Sequence, residues 1–165
     1  MMTGIDVYFS LGSNLGDKEA NLCAAISLLE SKTGVGCAAV SDFIKTESWG
    51  FSSENIFLNA AARFTIPDVG QDADLYSLAL LRICKEIEHS LGRVGAPEYA
   101  SDGSRIYRDR LIDIDILFYG KHRMESEELT IPHKGIRDRD FVMIPLLQVA
   151  KEDIKEAFPD IFTAN

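Results

Sequence analysis

Two aspartates one residue apart, Asp113-Ile114-Asp115, are the sharpest chemical signal in the chain. They lie in an apolar run, Ile112 to Tyr119, that reads as a β-strand. Residues two apart on a strand point the same way and sit roughly 6–7 Å apart. With Ile112, Ile114, Ile116 and Phe118 facing a core, both carboxylates face out together. Side-by-side carboxylates repel unless a cation lies between them. Hard oxygen ligands of this kind suit Mg²⁺, which prefers one or two carboxylates plus phosphate oxygens and water. Alone, the pair reads as ordinary solvent-facing acids, and its neighbours alter that reading.

Arg93, Arg105, Arg108 and Arg110 lie in the segment entering this strand, and His133, Arg137 and Arg139 follow it. From Arg93 to Arg139 there are nine basic and nine acidic residues; the remainder holds eight basic and seventeen acidic, which gives the net charge of −9. Guanidinium groups beside a carboxylate pair suit a metal-chelated polyphosphate. A solvated mixed-charge surface is the alternative that composition favours by itself. The connection Gly92–Asp109 is long for a simple linker, and such loops often bind or cover ligands. No Walker A motif is present: Gly12-Ser13-Asn14-Leu15-Gly16 lacks the Gly-Lys-Ser/Thr ending and reads as a tight turn with Asn or Gly at positive φ. His133, after Pro132, is by itself compatible with a structural histidine. His89 and His122 receive no role. Trp49 and Phe51, in a polar loop, either cover the core edge or touch a ligand.

The elements that would position these residues alternate in type. Ile5, Val7, Phe9 and Leu11 mark a strand over 5–11. Asp17 caps a helix with a buried stripe of Leu22, Ala25, Ile26 and Leu29, ending near Gly34. A second strand is expected from about Cys37 to Lys45. In Phe57–Ile66, one face carries Leu58, Ala60, Ala62, Phe64 and Ile66; the other carries Phe57, Asn59, Ala61, Arg63 and Thr65. Asp72 or Asp74 opens a second helix with Tyr76, Leu80, Cys84, Ile87 and Leu91 at helical spacing, and Gly92 as its stop. The order strand, helix, strand, strand, helix, strand predicts an α+β, ferredoxin-like antiparallel sheet with both helices on one face. The other face is expected to stay open, displaying Phe57, Asn59, Asp113 and Asp115.

At 165 residues and 46% apolar content, the chain predicts one domain over 1–165 with a real core. Net charge −9 argues against non-specific nucleic-acid binding. No apolar run has the length of a membrane span, and the N-terminus lacks a secretory pattern, so a cytoplasmic protein is expected. Cys23, Cys37 and Cys84 read as reduced, partly buried thiols. A monomer is expected.

Taken in order, several segments resemble the 6-hydroxymethyl-7,8-dihydropterin pyrophosphokinase family. They are Leu11-Gly12-Ser13-Asn14-Leu15-Gly16, Phe57-Leu58-Asn59-Ala60-Ala61, Leu91-Gly92-Arg93, Asp109 to Leu117, Leu129-Thr130-Ile131-Pro132-His133, Arg139-Asp140-Phe141-Val142 and Pro145-Leu146. The resemblance spans about residues 5 to 150. It implies an enzyme of folate synthesis that transfers the diphosphate of ATP to the pterin hydroxymethyl group, on a ferredoxin-like fold. It implies that Asp113 and Asp115 hold two Mg²⁺ ions, and that Arg93 and Arg110 join them in catalysis. Asn59 would bond the pterin edge, assisted by backbone near Thr46, Ser48 and Trp49, while Phe57 and Phe141 sandwich the ring. Glu88, Arg93, Arg110, Ile116, Thr130, His133 and Arg139 would line the ATP site, Ile116 and Thr130 mostly through backbone.

The chain departs from the family at three places: Phe57 stands where many members have Tyr, Gly95 where many have a second loop Arg, and Lys134 where a common variant has Tyr. Two other readings use the same residues. One is a different metal-dependent phosphoryl or nucleotidyl transferase, which would need the aspartates and arginines but not Phe57 and Asn59. The other is an RNA-recognition module with aromatics on its sheet, which the acidic pI of about 4.8 opposes.

Overall fold

A computed structural model of the protein describes residues 3–46, 56–92, 98–99, 101–102, 105–106 and 111–163. In chain order the elements are β1 (Gly4–Ser13), α1 (Lys18–Thr33), β2 (Cys37–Val40), β3 (Ile44–Thr46), β4 (Phe57–Pro67), α2 (Ala73–Ser90), β5 (Glu98–Tyr99), β6 (Arg105–Ile106), β7 (Asp113–Tyr119), β8 (Met124–Glu125), β9 (Thr130–Ile131), α3 (Asp140–Val149), α4 (Glu152–Ala157) and α5 (Pro159–Phe162). The main sheet runs β2-β4-β1-β7, antiparallel throughout, with β3 also pairing β4. Two small ribbons, β5–β6 and β8–β9, complete the strands.

Local chemistry starts and stops the two long helices as expected. The Asp17 carboxylate accepts from the Ala20 N–H at 3.1 Å, and the Asp72 carboxylate from the Leu75 N–H at 3.0 Å. Each satisfies one donor that the first helical turn leaves over. Gly34 ends α1 at φ 78 and donates its N–H to the Glu30 carbonyl. Leu22, Ala25 and Leu29 of α1 and Leu80, Cys84 and Ile87 of α2 are buried against Val7, Phe9, Leu11, Ala60, Ala62, Phe64, Ile114 and Ile116. This is the α+β, ferredoxin-like packing read from the periodicities.

Three expectations need correction. The expected strand 37–45 is broken: β2 ends at Val40 and β3 begins at Ile44. Between them Ser41 keeps contact with β4 by donating its N–H to the Ala61 carbonyl and accepting the Ala61 N–H on its hydroxyl, both at 2.9 Å. Second, β7 does not alternate regularly. Its pairing with β1 steps from Phe9 opposite Ile116 to Tyr8 opposite Phe118, leaving Leu117 as an extra residue. Phe118 therefore leaves the face of Ile114 and Ile116 and packs with Tyr8, at 5.7 Å between ring centroids.

The third correction concerns the face expected to stay open. Half of it is covered by α3, α4 and α5, whose Val142, Leu146, Val149, Ile154 and Phe158 form a second core with Tyr8, Ala61, Leu117 and Phe118. Polar bonds fasten these helices to the sheet. The Arg63 Nε donates to the Val149 carbonyl at 3.1 Å, and the Lys151 N–H to the Tyr8 hydroxyl at 3.1 Å. Asp6 accepts from Lys151 Nζ at 3.0 Å and from the Thr65 hydroxyl at 2.7 Å. The sheet is thus covered along one face by α1 and α2, except at the outer strand β2, and on the other only at the end remote from Asn59 and Asp113.

Phe158 tests how firmly that cover is held. It is 1% exposed and sits 5.2 Å from Phe118, ring to ring. Deleting a buried aromatic leaves a cavity that costs about 3–5 kcal/mol. Phe158→Ala is expected to lower the unfolding free energy by that amount in urea titration, with the main sheet's far-ultraviolet signal retained below the transition.

Candidate active site

The uncovered half of the sheet places the carboxylate pair and the aromatic–amide pair side by side. Gly12 of the central strand lies opposite Asn59 of β4 on one side and opposite Asp113 of β7 on the other. Directly opposed residues share a face, so Asn59, Gly12 and Asp113 form one row across three strands. In the next row Ser10 lies between Ala61 and Asp115. Asp113 and Asp115 are half-buried and point to the same face as Phe57 and Asn59, as the alternation predicts. Strands lie about 4.8 Å apart, which puts the amide and carboxylate backbones about 10 Å apart.

Gly12 matters for its missing side chain. Its φ is not in the positive range, so the backbone does not demand glycine. A Cβ built there would lie 3.1 Å from Asn59 Oδ1 and 3.6 Å from the Phe57 ring. Both side chains therefore lean over the central strand toward the aspartates. Positive φ in the expected turn belongs to Gly16, at 67°, and no described non-glycine residue shares it. Thr46, expected to act through backbone, also uses its hydroxyl, which accepts from Asn59 Nδ2 at 2.7 Å. That bond fixes the Asn59 carboxamide from β3.

Glu88 has a definite place beneath the aspartates. It is 6% exposed at the end of α2, and its carboxylate accepts the Ile114 N–H at 2.9 Å. β7 is the outer strand of the described sheet, so that N–H has no neighbouring strand to meet. The bond pins the backbone between Asp113 and Asp115, a positioning task that helix periodicity gave no reason to expect. Ile116 is 2% exposed in the helix-side core, so only its backbone can face the open side.

The extra residue in β7 brings in the next segment. The Leu117 carbonyl accepts the His133 N–H at 3.1 Å, just after β9, which carries Thr130. His133 Nδ1 accepts the Gly135 N–H at 3.0 Å, so the ring proton sits on Nε2, 3.9 Å from the Asp115 carboxylate. Burial, and after it the Arg139 charge, hold the imidazole below its ordinary pKa, with Asp113 opposing. His133 is accordingly neutral at pH 7 and offers an N–H donor rather than a charge. Arg139 precedes α3, its guanidinium against Gly135, where a Cβ would fall 2.8 Å from Cζ, and 6.0 Å from the Phe141 ring. Phe141 lies in the first turn of α3, which packs against β3 and β4.

The donor set fits the metal expectation in kind. Two half-exposed carboxylates on one face leave most of a cation's coordination to phosphate and water, as Mg²⁺ favours. Among the described residues no group of three or more His, Cys, Asp or Glu side chains is placed to hold an ion without such help. Ser48, Trp49, Arg93 and Arg110, and with them most of the Gly92–Asp109 loop, lie outside the described residues. Of that loop, β5 and β6 form a short ribbon. Gly92, at φ 117, abuts Leu111 so closely that a Cβ would overlap its side chain, so the loop's two ends meet at its base.

The sequence profile of the 7,8-dihydro-6-hydroxymethylpterin-pyrophosphokinase (HPPK) family matches residues 8–151. A Methylorubrum extorquens protein named 2-amino-4-hydroxy-6-hydroxymethyldihydropteridine pyrophosphokinase is 37% identical over 145 residues, covering 88% of this chain and 82% of that protein. A Porphyromonas gingivalis protein of the same name is 41% identical over 145 residues, covering 87% of this chain and 90% of its own length. Among solved structures, an HPPK-DHPS in complex with substrates superposes with a TM-score of 0.54 at 12% identity, over 97% of this chain and 43% of that one, and so supports the fold. By sequence, and over nearly all of the segments that carry the site, the chain belongs to the 6-hydroxymethyl-7,8-dihydropterin pyrophosphokinase family.

Proposed function

We propose that the uncovered half of the sheet is where this chain, an ATP-dependent pyrophosphokinase of folate biosynthesis, brings ATP and 6-hydroxymethyl-7,8-dihydropterin together. The observation that carries this reading is the row Asn59–Gly12–Asp113. A flat heterocycle bonded by Asn59 and flanked by Phe57 and Phe141 would extend its hydroxymethyl arm over the bare central strand toward the aspartates. Thr46, through the Asn59 carboxamide, and Ser48 and Trp49 would complete the pterin side. Thr130, His133, Arg139 and the backbone of Ile116 would hold ATP, Glu88 would keep β7 in place beneath it, and Arg93 and Arg110 would reach the phosphates from the loop.

The chemistry follows from charge. The hydroxymethyl oxygen attacks the β-phosphorus, the bond from that phosphorus to the α–β bridging oxygen breaks, AMP leaves with that oxygen, and the hydroxyl proton passes to solvent. Two Mg²⁺ held by Asp113 and Asp115 would offset the phosphate charge and lower the pKa of the attacking hydroxyl. Arg93 and Arg110 would stabilise charge on the transferred group, while neutral His133 donates from Nε2 and Arg139 holds the phosphate chain. No side chain is assigned as general base, so positioning and electrostatics supply most of the rate. Residues 1–165 would form this single catalytic domain, as a cytoplasmic monomer that binds neither nucleic acid nor membrane. No helix among the described residues is long and apolar enough to cross a membrane.

Three outcomes are expected. Phosphorus NMR of a reaction mixture should show AMP and a pterin diphosphate; ADP with a pterin monophosphate would defeat the proposal. Asp113→Ala and Asp115→Ala should each lower turnover by about 10²-fold or more, as for loss of a group that stabilises developing charge, without loss of the fold. Near-normal turnover of either variant at limiting Mg²⁺ would remove the metal assignment. Gly12→Ala should push the Asn59 carboxamide and the Phe57 ring aside and weaken pterin binding roughly tenfold, the equivalent of one hydrogen bond. ATP binding should stay near wild type in calorimetry. The midpoint of unfolding should move little, because replacing glycine where φ is permissive narrows the unfolded ensemble and offsets about 0.4–1 kcal/mol of strain.

A further inference from the structure

The break between β2 and β3 leaves one backbone donor to be satisfied from outside the sheet. Ser41 still exchanges bonds with Ala61 of β4, but the next N–H, that of Asp42, donates to Gln148 Oε1 at 2.7 Å, across 106 residues of sequence. Gln148 lies one residue from the end of α3, whose first turn carries Phe141. Asp42 lies two residues before β3, in which Ile44 and Thr46 stand opposite Asn59 and Phe57. One end of this bond therefore lies on the helix that carries Phe141, and the other just before the strand that pairs with Phe57 and Asn59.

A second bond fastens α3 to the sheet nearby, from Arg63 Nε to the Val149 carbonyl. It reaches β4 and fixes the helix end against the sheet. Packing of Val142, Leu146 and Val149 around Ala61 sets the distance of α3 from β4, and Gln148 bonds α3 directly to the residues between Ser41 and β3. The donor and acceptor are both exposed, so water can replace either partner and the fold gains little from the bond. An aromatic sandwich responds to spacing far more steeply than a fold does, because contact energy falls off within an ångström of the optimum.

We infer that Gln148 is a positioning residue for the pterin side of the site. By holding the Asp42 N–H it ties the segment leading into β3, and so Thr46 with the Asn59 carboxamide it holds, to α3 with Phe141. The inference rests on the reading of Phe57, Asn59 and Phe141 as the pterin-binding group. The nucleotide side depends on it less, because its carboxylates stand on β7, beyond β4 and β1 from β3, and of the residues read as holding ATP only Arg139 adjoins α3.

Steady-state kinetics of Gln148→Leu, Gln148→Glu and Phe57→Ala, with thermal midpoints, test it. Leucine keeps the bulk and removes the acceptor. Glutamate keeps an acceptor, and about 1 M salt, where the Debye length is about 3 Å, screens its charge from Asp42. Gln148→Leu is expected to raise KM for the pterin roughly three- to tenfold, the span of one lost hydrogen bond. KM for ATP should stay within about twofold and the thermal midpoint near wild type. Gln148→Glu should restore the pterin KM. No change in Gln148→Leu, equal changes for both substrates, or failure of glutamate to restore would overturn the inference while Phe57→Ala still raises the pterin KM. If Phe57→Ala leaves the pterin KM unmoved, the pterin assignment itself falls, and this inference with it.

Discussion

The single extra residue in β7 is the constraint on which the rest of the molecule depends. A strand gives alternate residues to opposite faces, and β7 must serve both a core beneath α1 and α2 and the face above. Asp113 and Asp115 lie on the upper face, while Ile114 and Ile116 go to the core. Strict alternation would then send Phe118 down and Tyr119 up. The step at Leu117 reverses the remainder, placing Phe118 in the second core and Tyr119 in the first. One face thus changes from carboxylates to buried aromatics within four residues. The carbonyl displaced there is the one that holds the His133 backbone.

That change divides the upper face into a working half and a structural half. Tyr8, Arg63 and Asp6 anchor the C-terminal helices over the lower half. The upper half keeps Ser10 and Gly12 in the central strand, the smallest residues available between an amide and two acids. Helix α3 crosses the boundary, with its end fastened over the structural half and its start beside the working one. Glu88 supports the arrangement from below, where a buried carboxylate takes the Ile114 N–H at the outer edge of the described sheet.

Much of this was legible in the sequence, for reasons that are local. Asp17 and Asp72 cap helices through bonds to residues three positions away, and alternation in 5–11 and 57–66 reports one buried face directly. The same alternation placed Phe57, Asn59, Asp113 and Asp115 together. What escaped was set by tertiary contact. The run Asp113 to Tyr119 is apolar enough after Ile116 that period two gives no hint of a bulge. Residues 140–149 are apolar on most sides and contain Pro145, so they show no amphipathic stripe to announce a helix covering a sheet. The family resemblance implies Glu88 at the ATP site, but its bond to the Ile114 N–H is visible only once the edge of β7 lies above it. Gly12 reads as turn chemistry until its two cross-strand partners are known.

The place of β1 in the sheet has a consequence for how the molecule comes into being. The first strand of the main sheet in chain order, β1, is central, flanked by β4 and β7, whose residues lie some fifty and one hundred positions later. On a ribosome adding about 5–20 residues per second, β1 waits on the order of 10 s for its last partner. Throughout that interval Val7, Phe9 and Leu11 have no complete core to enter, and one edge of the strand has no ladder. Local helices α1 and α2 can form meanwhile, but the sheet closes only when β7 has been synthesised. The geometry that places amide and acid on either side of one strand therefore keeps the apolar face of β1 waiting longer for its core than a strand whose partners are close in sequence.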